Sequence, residues 1–208
     1  MNRTTTTRFL RAGAALLAAA ALSGCAALLV GGAAVGTALM VTDRRTAGTQ
    51  LEDQNIELKS LTRISEAVGD RGHISATSYN RQVLLTGEVA SEADRAAVEQ
   101  SIGRIEGVRS IVNELAVMGV SSMTARSNDS ILTSKVKASF IDAKDLHATA
   151  IKVVTERGVV YLMGRVTERE AARATEIARG VAGVQKVVRV FEVVSDAELA
   201  NLSAEPKK

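Results

Sequence analysis

Val83-Leu84-Leu85-Thr86-Gly87-Glu88-Val89 returns 77 positions later as Val160-Tyr161-Leu162-Met163-Gly164-Arg165-Val166. Ile105-Glu106-Gly107-Val108-Arg109-Ser110-Ile111-Val112 returns 76 positions later as Val181-Ala182-Gly183-Val184-Gln185-Lys186-Val187-Val188. Self-similarity at a fixed period marks a unit written twice, and the slip from 77 to 76 is one residue lost within a helix or at its end. The copies span residues 49–118 and 126–194, with Ser121, Ser122 and Thr124 in a linker over 119–125 and a tail from 195 to 208.

Both copies carry the same order of elements. In the first, Leu51, Leu58, Leu61, Ile64 and Val68 form the apolar stripe of a helix that Gly69 stops. Residues 73–79 and 82–89 read as strands around Asn80-Arg81. Arg157-Gly158 fills that turn in the second copy, where Gly supplies the positive φ of a tight hairpin. A second helix covers 92–105 and 169–180, and the last strands cover 108–117 and 184–194. The pattern α-β-β-α-β, twice, predicts an α+β fold: two tandem domains, each a three-stranded sheet packed on two helices. A domain this small has a marginal core, which packing of the copies against each other would relieve.

Outside the repeat, the N-terminus is a targeting signal. Arg3, Arg8 and Arg11 form a positive n-region ahead of an apolar segment over 12–22, and Leu22-Ser23-Gly24-Cys25 follows. The last four resemble the lipobox of bacterial lipoproteins, which implies cleavage after Gly24, lipidation of Cys25 and a tether over 25–48. Ala26, where Asp would favour the inner membrane, points to the outer membrane. The rival reading is a bilayer-spanning anchor, since residues 12–42 carry no charge. The glycines at 24, 31, 32 and 36 suit a loose tether better.

The repeated hairpin with Gly in its second strand, followed by a helix ending in Gly-Val before a Val-rich strand, resembles the BON (bacterial osmotic-shock and nodulation) domain. Asp43-Arg44-Arg45-Thr46-Ala47-Gly48-Thr49-Gln50, Ser127-Asn128-Asp129 and Tyr161-Leu162-Met163-Gly164-Arg165-Val166-Thr167-Glu168-Arg169-Glu170-Ala171 carry the resemblance. A lipobox followed by two such domains resembles the dual-BON outer-membrane lipoproteins. This implies a periplasm-facing, non-enzymatic protein that binds anionic phospholipid, with phosphatidylglycerol the expected lipid, and supports envelope integrity and division.

Composition excludes several other classes. Five aromatic residues and no Trp leave no base-stacking platform for nucleic acid. A single Cys makes neither an internal disulfide nor a thiolate metal cluster. GxSxG, HExxH, Walker and CxxC motifs are absent, and no cofactor is expected. His73 and His147, each expected to begin a first strand, have structural roles. Glu168 and Glu170 serve a helix N-terminus. Arg165, Arg169, Arg173 and Glu176 read as a solvated face with ion pairs at helical spacing.

The net charge of +3 comes from the leader, yet the copies differ sharply. Residues 49–118 hold 7 basic and 11 acidic side chains, and residues 126–194 hold 12 and 8. A basic module on a lipid tether suits an anionic membrane, while opposite charges also suit docking between the copies. The candidate contact is the first helix of the second copy, read as starting near Ser127. Leu132, Val136 and Phe140 share its core face, and Ile131 lies about 140° away, exposed. Asn128, Ser130, Ile131, Ser134 and Lys135 form the expected lipid-binding set. Ile131 dips into acyl chains where the family places a Trp, and helix N-terminal amides meet the phosphate. Asp129 opposes that phosphate or serves the helix start. The other functional reading is a protein adaptor for outer-membrane assembly or a cell-wall hydrolase regulator, with the acidic first copy as the contact.

Overall fold

A computed structural model describes residues 43–204, which belong to one compact unit. The signal over 1–24, Cys25 and the uncharged stretch to residue 42 lie outside the described residues. Each copy begins with a helix capped by a hydroxyl: Thr46 accepts from Thr49 N ahead of α1 (Ala47–Val68), and Ser122 accepts from Ala125 N ahead of α3 (Met123–Asp142). In the first copy, β1 (Gly72–Tyr79) and β2 (Gln82–Val89) pair antiparallel, and α2 (Glu92–Gly103) crosses back to lay β3 (Ser110–Asn113) and β4 (Ala116–Val117) parallel to β2. β3 and β4 keep one register on β2, Leu85↔Asn113 continuing as Glu88↔Ala116, so the expected strand over 108–117 is one strand interrupted at Glu114-Leu115. In the second copy, β5 (Lys152–Glu156), β6 (Val159–Val166), α4 (Glu168–Gly180) and β7 (Lys186–Val193) repeat the order without the break.

The central strands are buried on both faces, which is why they read as near-continuous apolar runs. Along β2, Val83, Leu85 and Val89 join Ile56, Val98 and Ile102 of the helices, while Leu84 points the other way. Along β6, Val160, Leu162 and Val166 meet Val136, Phe140 and Ala174, while Tyr161 and Met163 point the other way. Leu84, Tyr79, Tyr161, Met163 and Val190 form a third cluster. The two sheets therefore pack open face to open face, with each helix pair on an outer side, in four layers. Polar groups rim this seam. Lys152 Nζ reaches Glu57 Oε1 at 2.8 Å and the Ser78 carbonyl at 3.2 Å, and Glu192 Oε2 accepts from Asn80 Nδ2 at 2.6 Å and Arg109 Nη2 at 2.8 Å. The charge contrast between the copies is thus used in part for docking.

Several expectations are corrected. Leu51, Leu58 and Leu61 are exposed, and α1 buries Asp53, Ile56 and Ser60 together with the expected Ile64 and Val68. The helix is turned by Asp53, whose carboxylate accepts Asn80 N, Arg81 N and Ser78 Oγ at 2.6–2.8 Å and pairs with Arg45 at 2.7 Å. Helix α3 starts at Met123, inside the expected linker, and α5 (Asp196–Ala204) occupies much of the expected tail. The end of the expected tether is folded: Arg44 binds Glu170 through both nitrogens at 2.7 and 2.8 Å. His73 does lie at the start of β1, but His147 precedes a 3₁₀ turn (Ala148–Ala150). Arg165 is only 15% exposed, paired with Glu192 and Glu198 rather than solvated.

Candidate functional site

The hairpin turns anchor the site. Asn80 and Arg81 in one copy, and Arg157 and Gly158 in the other, all have positive φ, the geometry of a two-residue primed turn. Backbone N–H groups of such a turn point back at the preceding helix, where one carboxylate takes both. Asp129 Oδ2 accepts Arg157 N at 2.8 Å and Oδ1 accepts Gly158 N at 2.9 Å, repeating Asp53 one period earlier. Asp129 is therefore neither a helix start nor a free charge facing a phosphate.

Between this turn, α3 and the loop before β7 opens a cleft of about 570 Å³, lined by Asn128, Asp129, Ile131, Leu132, Lys135, Arg157, Gly158 and the loop residues Ala182, Gly183 and Gln185. Ile131 is 54% exposed on its lip, while Leu132, Val136 and Phe140 are buried. Of the five expected lipid contacts, the structure brings Asn128, Ile131 and Lys135 to the cleft and leaves Ser130 and Ser134 out. Those two hydroxyls donate to the carbonyls of Arg126 and Ser130 four residues back, at 3.1 and 3.0 Å. The helix begins at Met123, so the amides around Asn128 and Ile131 sit inside it and none is a free N-terminal donor. Sequence reasoning missed Arg157, Gly158, Gly183 and Gln185. The signal for the first two was the repeated turn itself.

The first copy has the same cleft, of about 320 Å³, lined by Glu52, Asn55, Ile56, Lys59, Arg81, Glu106 and Gly107. One repeat period maps Glu52 onto Asn128, Asn55 onto Ile131, Lys59 onto Lys135 and Glu106 onto Ala182. The lysine is common to both. The first cleft has two carboxylates and an amide where the second has an amide, an isoleucine and an alanine. Glu52 is also tied to Arg81, at 3.2 Å. The frame is shared, and only the lining of the second combines an exposed apolar group with more cations than acids, Lys135 and Arg157 against Asp129. Among the described residues no group of His, Cys, Asp and Glu is placed to hold a metal ion.

Glu170 holds the other end of α4. With Thr167 it forms a reciprocal capping box, and the hydrogen bond from Arg44 is the largest of the effects that hold its carboxyl down at about 2.

Comparison with known proteins places this geometry. The family model of the BON domain matches residues 52–119 and 128–195. The outer membrane lipoprotein DolP of Haemophilus influenzae is 38% identical, over 82% of this chain and 89% of that protein. The 21 kDa hemolysin of Actinobacillus pleuropneumoniae is 32% identical over 73% of this chain and 79% of its own length, and the osmotically-inducible protein Y of Escherichia coli is 29% identical over 67% and 72%.

Proposed function

The chain belongs to the BON-domain family, and from that premise we propose that it is a non-enzymatic, lipid-anchored envelope protein whose second domain docks on anionic phospholipid. The anchor is Cys25, acylated after cleavage behind Gly24. The H. influenzae relative, named an outer membrane lipoprotein, and Ala26 after the Cys both favour the outer membrane, with the body in the periplasm. The family resemblance extends the reading to envelope integrity and division.

The observation that carries the lipid reading is the contrast between the two equivalent clefts. An exposed Ile131 beside Lys135, in a domain whose basic side chains outnumber its acids, suits acyl-chain contact with headgroup attraction. In the first cleft Glu52 and Glu106 balance Lys59 and Arg81, and no exposed apolar side chain stands where Ile131 does, so it offers the same surface no such attraction. Because Tyr161 and Met163 share a core with Leu84, the test uses the whole soluble body, residues 43–208. It floats with phosphatidylglycerol vesicles more than with neutral ones, and salt weakens the binding by screening. Ile131→Glu abolishes flotation in a folded protein, whereas Leu132→Glu unfolds it by burying an unpaired charge. Unchanged flotation with Ile131→Glu overturns the site.

A second reading, a periplasmic adaptor for outer-membrane assembly or cell-wall hydrolase regulation, is favoured by one feature. Leu51, Leu58 and Leu61 form an exposed stripe on the acidic domain, beside a groove of about 400 Å³. Wild-type flotation at background level with both vesicle types favours it.

A further inference from the structure

The geometry points to a proton-operated control of the second-domain cleft: a buried carboxyl in the seam, Glu156, close to the buried Glu88, sets by its protonation how strongly the cleft attracts an anionic surface. The inference rests on the lipid reading of that cleft. Glu88 projects from the seam face of β2 and is 0% exposed, and Glu156 ends β5 at 7% exposed. Glu88 has one loose ion pair, and Glu156 Oε1 has no hydrogen-bond partner. Glu88 Oε1 has only Arg157 Nη1 at 3.6 Å, beyond hydrogen-bond length, and Glu88 Oε2 accepts Ser121 N at 3.3 Å. Glu88 Oε1, Glu156 Oε1, Ser121 Oγ and Arg126 Nε are all buried without a hydrogen-bond partner.

The groups that face Glu156 come from every neighbouring element. β2 supplies Glu88 and β6 supplies Tyr161, while His73 of β1 stands opposite Glu88 in the ladder and meets Arg126 Nη1 at 3.3 Å. Helix α3 supplies Arg126 and Asp129, and the turn supplies Arg157. Burial and neighbouring negative charge both make ionisation of Glu156 costly. Burial first, then Glu88 and Asp129, push Glu156 up to about 7 against the pull of Arg157 and Arg126. Below that pH the cluster holds one proton more. Above it, a second negative charge appears next to Arg157 and Asp129, which line the cleft. The phosphodiester of phosphatidylglycerol keeps its charge over the same range, so the change belongs to the protein.

The experiment measures partition of the 43–208 body onto phosphatidylglycerol vesicles at pH 6 and pH 8 at fixed ionic strength. Wild type binds about fivefold more tightly at pH 6, the effect of one charge near the surface. Glu156→Gln binds alike at both, near the wild-type pH 6 level, and His73→Gln keeps the wild-type difference. Equal wild-type binding at the two pH values, or a difference that survives in Glu156→Gln, overturns this inference and leaves the lipid reading standing. No binding by wild type at either pH overturns the lipid reading, and the control with it. If Glu156→Gln fails to fold, the ¹³C titration of the Glu156 carboxyl in wild type decides. A midpoint near neutrality supports the control, and a midpoint in the ordinary carboxylate range overturns it.

Discussion

Asp53 and Asp129 hold the same post in the two copies: each carboxylate takes both N–H groups of the hairpin turn that faces it, Asn80 and Arg81 in the first copy, Arg157 and Gly158 in the second. They differ in what else they carry. Asp53 is buried and also binds Ser78 Oγ and Arg45, whereas Asp129 is half-buried. Asp53→Ala is expected to cost about 2–4 kcal/mol, since it leaves two turn N–H groups and the Ser78 hydroxyl without their acceptor and takes from Arg45 one of the two carboxylates that hold it, Asp43 keeping the other, and Asp129→Ala about 1–2 kcal/mol. Urea unfolding of both variants checks the order.

Glycine in the two central strands is a steric requirement. A Cβ on Gly87, whose φ is 114°, would collide with the His73 carbonyl, and one on Gly164 would collide with that of Ala150. Gly87→Ala should therefore lose at least about 3 kcal/mol, combining strained backbone with a clash against main chain. Gly180→Ala, with nothing within 4 Å of the added carbon, should be neutral or gain about 0.5 kcal/mol. Thermal melting separates the two.

Acid should weaken the molecule through Glu170. Its folded-state pKa, about 2, lies below the ordinary 4.5, so its contribution is complete above pH 4.5 and is lost as pH falls towards 2. The shift corresponds to about 3 kcal/mol at most. Glu170→Gln should be less stable at neutral pH and show a flatter fall in stability below pH 4.5, measured by denaturant titration at stepped pH.

The relation between the clefts can be tested by transplanting one lining onto the other. In a chain silenced by Ile131→Glu, the changes Glu52→Asn, Asn55→Ile and Glu106→Ala give the first cleft the second one's lining at those positions. Flotation with phosphatidylglycerol vesicles should return. If the folded chain stays in the unbound fraction, lining alone does not set the preference.

The repeat made the hairpins, the second helices and the core face of α3 readable, because apolar period and turn chemistry agree there. The face of α1 was not readable. Leu51, Leu58 and Leu61 are the more apolar side, but the bonds of Asp53 to a turn and of Ser60 Oγ to the Ile56 carbonyl fix the rotation, and small Ser60 sits inward. Polar geometry outweighed hydrophobic spacing. The start of α3 was missed because Ser127 reads as the start, whereas Ser122 takes the amide three residues on, at 3.2 Å, and the Ser127 hydroxyl donates to the Met123 carbonyl inside the helix. The Arg44–Glu170 pair spans 126 residues, beyond any local pattern. Ile131 was placed correctly in angle, though its neighbours Ser130 and Ser134 spend their hydroxyls on their own helix.

The shared cluster of Tyr79, Leu84, Tyr161, Met163 and Val190 has a consequence for the history and handling of the chain. Each half owns one side of what is, in form, a homodimer interface, made permanent by a connector that keeps the partners at high effective concentration. Once duplicated, neither half remained free to drift alone, because a change on one sheet has to be answered on the other. The halves expressed as separate polypeptides should seek one another, and either one left unpaired should turn its sticky side on copies of itself.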